Sequence, residues 1–426
     1  MTPHAALWTS AVLGLLVVAG VSLATPWRPT VAAVPHPDPA RDLSAAEIDR
    51  ARRFARAHNV PAVASTLAGL AVTLLLGLTT AGSHLASTVG GRLPWTVRVV
   101  LATLAVLALT SVALLPLSAW QEVLSRRYGL SVQTWRTWAA DQVRGFAVHG
   151  VTAAIAMLAL IGCARAAPRY WWVVAATAAA VLVLVVSFAS PLVIEPLFNR
   201  FTPMPPGDLR SELIAMAARD GVRVADVLVA DASRRTTALN AYVSGLGATR
   251  RIVVYDTLLA RPDDEVRLVI AHELGHAARR DVLHGTVAAA AGSAAAVALL
   301  GFLLTSNGLL RRAGVDGAGD PRSAPLVLAL GAILAAVAGP AGALVSRRVE
   351  ARADVHSLDS TRDPAVFTRA MRELAVTNVA NPYPNPVLYA LYADHPSVPE
   401  RIALARAWAA AHGVAVPPDL APGTGT

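Results

Sequence analysis

Apolar and polar residues alternate along this chain in long blocks rather than in short periods. Seven blocks, 7–23, 63–80, 97–117, 146–163, 171–194, 283–304 and 325–345, are apolar and almost free of charge. Each comes close to the roughly 20 residues that a helix needs to cross a hydrocarbon core of about 30 Å. Trp95 and Trp120 flank the third block, where aromatic rings anchor spans at the interface. The first block is expected to stay as a span rather than act as a cleaved signal, because residues 1–6 carry no Lys or Arg. Polar stretches 27–59 and 121–145 are expected to be connecting segments.

Between the fifth and sixth blocks the pattern changes to that of a water-exposed lobe. Residues 208–220 have helical spacing, with Leu209, Leu213 and Met216 on one side. Short runs rich in Val and Ile at 224–230 and 251–255 read as strands. Ala241-Tyr242-Val243 is a third strand candidate, closed by the turn residues Ser244-Gly245. Residues 264–278 follow as a helix, with Gly275 as the single weak helix former and no Pro. The chain therefore divides into 1–195 (five spans with loops), 196–283 (a lobe ending in that helix), 284–345 (two spans), 346–416 (a helical part) and 417–426 (a disordered tail). This is an α-helical multi-pass membrane protein of about seven transmembrane helices.

Composition agrees with that reading. A mean hydropathy of +0.50, with 55% hydrophobic and 15% charged residues, fits many membrane passes. The net charge of +9 owes its positive part entirely to Arg, since Lys is absent. Long apolar blocks assign this basic balance to a lipid bilayer and not to nucleic acid. The single cysteine, Cys163, lies in an apolar block and excludes both a disulfide framework and a Cys-based metal site. Seven spans put segments 27–61, 119–146, 195–283 and 346–426 on one side. These hold 6, 4, 12 and 8 of the 37 Arg, or 30 in all. The two short segments show the bias as the long ones do, so the lobe is expected in the cytoplasm, on the inner face of the cell membrane.

The chemistry sits in Ile270-Ala271-His272-Glu273-Leu274-Gly275-His276, an H-E-x-x-H on the lobe's last helix. Two His four residues apart lie on one helix face and can share one zinc ion. Glu273, beside them, is placed to take a proton from an attacking water. A catalytic zinc needs a third protein ligand, and Glu350 in Ser346-Arg347-Arg348-Val349-Glu350-Ala351-Arg352-Ala353-Asp354 is the best candidate. Glu350 and Asp354 share a helix face, so Glu350 can bind the ion while Asp354 accepts the free N–H of a ligating His. The same spacing also suits a solvated helix just outside the membrane, and spacing alone leaves both readings open. Asp281 and His284, after the motif, are expected to be surface and interface residues.

Taken together, these residues resemble the integral-membrane zinc metalloproteases of the CAAX prenyl endopeptidase type, over nearly the whole chain. The resemblance is carried by Pro196-Leu197-Phe198-Asn199, Asn240-Ala241-Tyr242-Val243 and Ile252-Val253-Val254-Tyr255-Asp256-Thr257-Leu258-Leu259. The metal motif, Ser346-Arg347-x-x-Glu350-x-x-x-Asp354, His395-Pro396-Ser397 and Arg401-Ile402 complete it. It implies a small α+β, gluzincin-like catalytic lobe with one Zn²⁺ per chain. His272, His276 and Glu350 would be the ligands, Glu273 the general base and Asp354 a partner behind the ligands. His395 would donate a hydrogen bond to the developing oxyanion. Arg401 would position the substrate backbone or a nearby carboxylate, and Asn240 to Val243 would be an edge strand on which an extended peptide docks.

The implied activity is hydrolysis of peptide or protein substrates at the membrane, lipidated ones included. The eukaryotic relatives cut behind a prenylated Cys. An Arg-only, Ala-rich chain suggests a GC-rich bacterial genome, where that lipidation is not expected. Two other classes stay in view: a signalling protease driven by a membrane sensor, and a zinc-binding scaffold without activity. Short outward loops weigh against the first. Glu273 weighs against the second, because a structural site needs only its ligands.

Overall fold

The computed structural model describes residues 3–27, 31, 34–245 and 247–420. Among them seven helices are long and apolar enough to cross a membrane. In chain order the first half comprises α1 (Pro3–Ala24), α2 (Ala45–Leu78), α3 (Thr80–Gly90), α4 (Trp95–Arg127), α5 (Trp135–Ala166) and α6 (Trp171–Ala189). A π-turn, Ser190–Ile194, carries α6 into the short α7 (Glu195–Phe198). Pro191 lies in that turn and has no N–H to give the regular ladder.

Several spans are much longer than their apolar blocks. Helix α2 has 34 residues. At about 1.5 Å of rise per residue it is about 51 Å long, so roughly 20 Å stands outside a hydrocarbon core of about 30 Å. The segments 27–59 and 121–145, expected as connections, are therefore helical in part: α2 takes in 45–59, α4 runs to 127 and α5 starts at 135. A local signal is present at α2: Ser44 and Glu47 form a capping box, each side chain accepting the other's backbone N–H. Thr134 caps α5 in a similar way, accepting from Thr137 N at 3.1 Å.

The lobe holds one four-stranded sheet of β1 (Phe201–Pro203), β2 (Asp226–Ala230), β3 (Ala241–Ser244) and β4 (Arg251–Tyr255), in the order β1-β2-β4-β3. Strands β2 and β4 run parallel and the outer pairs antiparallel, which leaves β3 as an edge. Strand β1 is not foreseen by the sequence pattern; so short a run, ending in Pro, gives no periodic signal. Helix α8 (Asp208–Arg219) and the metal-motif helix α9 (Asp263–Ala278) belong to the same core, where Leu213, Ile252, Val254, Val266, Ile270 and Leu274 are fully buried.

Helix α10 (Asp281–Leu303) re-enters the apolar region between α1 and α6. After α11 (Asn307–Ala313) comes α12 (Ala324–Thr361), a single 38-residue helix that packs on α2 and then on α9. Helices α13 (Pro364–Thr377) and α15 (Val398–Ala411) close over the lobe around Phe367, Ile402 and Trp408, and the short α14 (Pro386–Tyr392) packs on α12. Of the expected tail, 421–426 lie outside the described residues. Residues 417–420 are held: the buried Arg406 donates to both oxygens of Asp42 at 2.8 and 2.5 Å, and also to Pro417 O and Pro418 O. The backbone N–H of Leu420 donates to Asp42 as well, at 3.2 Å.

Candidate metal centre

Helix α9 begins with Asp263, Asp264 and Glu265, three acids where the positive end of the helix dipole favours them. Its weak former, Gly275, has a packing reason. A Cβ there would stand 3.0 Å from the ring of His356, so the missing side chain lets α9 and α12 approach closely. That approach brings Glu350 to the two His.

The two imidazoles and the carboxylate of Glu350 converge on one point. His272 Nε2 lies 3.2 Å from Glu350 Oε2, His276 Nε2 3.2 Å from His272 Nε2, and His276 Nε2 3.4 Å from Glu350 Oε1. A tetrahedral ion with bonds of about 2.0–2.1 Å requires ligand atoms about 3.3 Å apart, and each imidazole lies near that spacing from the other and from one of the two Glu350 oxygens. Two neutral imidazoles and a carboxylate also form a donor set suited to a catalytic ion with a fourth, open position.

Each His is oriented from behind. His272 Nδ1 faces Asp354 Oδ1 at 2.9 Å, and His276 Nδ1 faces Asp281 Oδ2 at 3.0 Å. Asp281 is thus not a surface residue. Arg280 takes a left-handed conformation, with φ at 57°, which few side chains adopt. The turn brings Asp281 back beneath His276, and Arg352 of α12 pairs with it at 2.5 Å. His284 is exposed. Arg401, largely shielded from solvent, forks onto Asp354 with contacts of 2.9 and 2.5 Å, the planar geometry that suits a carboxylate. Of the two roles expected for Arg401, its observed partner is the nearby carboxylate.

Electrostatics follow from burial and these partners. Burial alone would lower the pKa of His276, yet hydrogen bonds to Asp281 and Glu350 overcome it, and the value is pushed up to about 10 in the metal-free site. Burial raises the carboxyl of Glu273 above the ordinary Glu range, against the opposing pull of both His.

Two cavities meet at the metal motif. One of about 470 Å³ is lined by Ala241, Tyr242, Val243, His276 and Asp281; the other, of about 320 Å³, by Leu258, Leu268, Phe367, Met371 and Arg401. Asn240, His272, Glu273 and His395 line both, and so mark the junction. His395 lies on the loop before α15, its side chain 55% exposed and its Nε2 3.3 Å from Glu350 Oε2. Strand β3 borders the first cavity as the sheet's edge, with Asn240 just before it. Tyr242 and Ser244 turn their hydroxyls to Glu195, at 3.3 and 2.8 Å, so this face of the strand is tied to the end of the α6 span. Glu195, Asp281 and Arg352 escape a sequence reading because each acts across elements distant in sequence or beyond a turn.

Comparison with known proteins gives a consistent result. Residues 203–409 match the model for peptidase family M48, and residues 31–200 match that for the CAAX prenyl protease N-terminal region of five membrane helices. An uncharacterized metalloprotease of Bacillus subtilis is 30% identical over 69% of this chain and 70% of its own length. CAAX prenyl protease 1 of Saccharomyces cerevisiae is 31% identical over 49% of this chain and 45% of its own. A homologue from Arabidopsis thaliana is 34% identical over 38% of this chain and 39% of its own. The crystal structure of Ste24p from S. mikatae superposes with a TM-score of 0.78 over 95% of this chain and 97% of that one, at 20% identity.

Proposed function

The chain belongs to peptidase family M48 and is a membrane metalloprotease of mostly helical fold; from that premise we propose a zinc endopeptidase that cleaves membrane-associated peptides, lipidated ones included, on the cytoplasmic side of the cell membrane. The observation that carries this reading is the convergence of His272, His276 and Glu350, each offering one ligand atom close enough to the others to hold a single ion, beside the carboxyl of Glu273.

Zinc, when bound, would act as a Lewis acid toward the scissile carbonyl and ease the loss of a proton from water. Glu273 takes that proton and passes it to the leaving amine; burial tunes its carboxyl toward such a two-way role. His395, at the junction of the two cavities, donates to the oxygen on which charge develops. Asp354 and Asp281 fix the tautomers of the two His, and Arg401 holds Asp354. The peptide lies extended along β3 and forms main-chain bonds with its free edge. The second cavity, walled by Leu258, Leu268, Phe367 and Met371, takes an apolar side chain near the scissile bond.

Detergent-purified protein should cleave peptides carrying an apolar residue at that position, lose activity with a strong chelator and regain it with zinc. Cleavage that persists after complete metal removal would refute the reading.

A further inference from the structure

His395 is more than half exposed, so packing does not hold it where an oxyanion donor must stand. Its position is inherited from the loop between α14 and α15, and both ends of that loop are clamped. At the far end Ser397 and Glu400 form a capping box on α15. There Ser397 N and Oγ both donate to Glu400 Oε2, at 2.7 and 2.8 Å. The near end is clamped from α12. Arg347 donates to Tyr389 O at 3.0 Å, alongside the backbone N–H of Ala393, and to Ala393 O at 2.5 Å, just past the end of α14. Its guanidinium also stacks 4.8 Å over the Tyr389 ring, a favourable cation–π placement. The Tyr389 hydroxyl donates to Glu400 at 2.6 Å, which joins the two clamps. Within the loop, Asp394 Oδ1 lies 2.9 Å from His395 Nδ1 and turns Nε2 toward Glu350.

Arg347 stands one turn before Glu350 on the same helix. We propose that Arg347 is the positioning residue of His395: it references the oxyanion donor to the helix that carries Glu350. The proposal rests on His395 acting as that donor. A rigid link of this kind matters because a catalytic group displaced by about half an ångström loses much of its effect.

A double-variant cycle tests it, with cleavage rate and bound zinc measured side by side. His395→Ala should lower kcat by about 10²–10³-fold, the usual loss for one oxyanion donor. Arg347→Gln should lower kcat by a large part of that factor, with KM and zinc content near wild type. The double variant should be no slower than His395→Ala alone, because a positioning residue has nothing left to position. Arg347→Lys should recover part of the rate, since an ammonium can serve both carbonyls. Tyr389→Phe removes one hydroxyl from the same clamp and should show the same non-additivity should Arg347→Gln fail to accumulate. Losses that multiply in the double variant, or a wild-type rate for Arg347→Gln, would overturn the proposal. A wild-type rate for His395→Ala would instead remove the oxyanion role, and the positioning claim with it.

Discussion

At the residue scale the site is decided by what stands behind each proposed ligand. Asp281 accepts from His276 and is itself held by Arg352, so removing its charge should loosen the ligand without touching it. Asp281→Asn should weaken zinc affinity by roughly 10–100-fold, read by competition with a chelator of known strength. An unchanged affinity would return Asp281 to the surface role that its sequence position suggests. A pH effect follows from the same contacts. In the metal-free protein the pKa of His276 stands at about 10, above its ordinary value of 6.5. A raised value adds stability that is fully present below about 6.5 and lost as pH climbs through about 10. Chelated protein should therefore melt at falling temperatures between those limits, and zinc added at about pH 8 should release protons as it displaces one from the imidazole.

At the element scale the site is organised by α12. It brings Glu350 to the two His of α9, Asp354 to His272 and Arg401, Arg352 to Asp281, and Arg347 to the loop of His395. All of this depends on α12 lying close to α9, and the contact point is Gly275 against His356. Gly275→Val should wedge the helices apart, destabilise the lobe by about 1–3 kcal/mol and reduce bound zinc, as followed by melting and metal analysis. The H-E-x-x-H spacing is legible because i and i+4 on a helix is a local rule. Pairing Glu350 with that motif is not settled by spacing, since 78 residues separate it from His272 and a solvated helix would read alike. Asp281 is misplaced by a sequence reading for a related reason: the turn at Arg280 has a positive φ in a residue that seldom adopts it, and no periodic rule foresees that.

At the scale of the whole molecule, the apolar blocks locate all seven candidate spans, because burial in hydrocarbon requires an unbroken signature. They do not show where the helices end. Beyond the membrane, the polar start of α2 is held by the Ser44 cap and by Arg372 of α13, which pairs with Glu47, and such contacts leave no hydropathy trace. Helix α12 shows the same limit, for its apolar part stops near residue 345 while the helix runs on to Thr361. The Arg asymmetry predicts that a reporter active only outside the cytoplasm, fused after Gly413, stays silent. Activity there would reverse the orientation.

The most direct test of the central claim compares wild type with Glu273→Gln in one preparation, assaying peptide cleavage and bound zinc together. Glu273 lies next to a proposed ligand but is itself outside the group of His272, His276 and Glu350. The substitution keeps the shape and removes the base. Zinc content should remain near one per chain while cleavage falls by at least about 10²–10⁴-fold. Cleavage at the wild-type rate by Glu273→Gln, with zinc fully bound, would contradict the account.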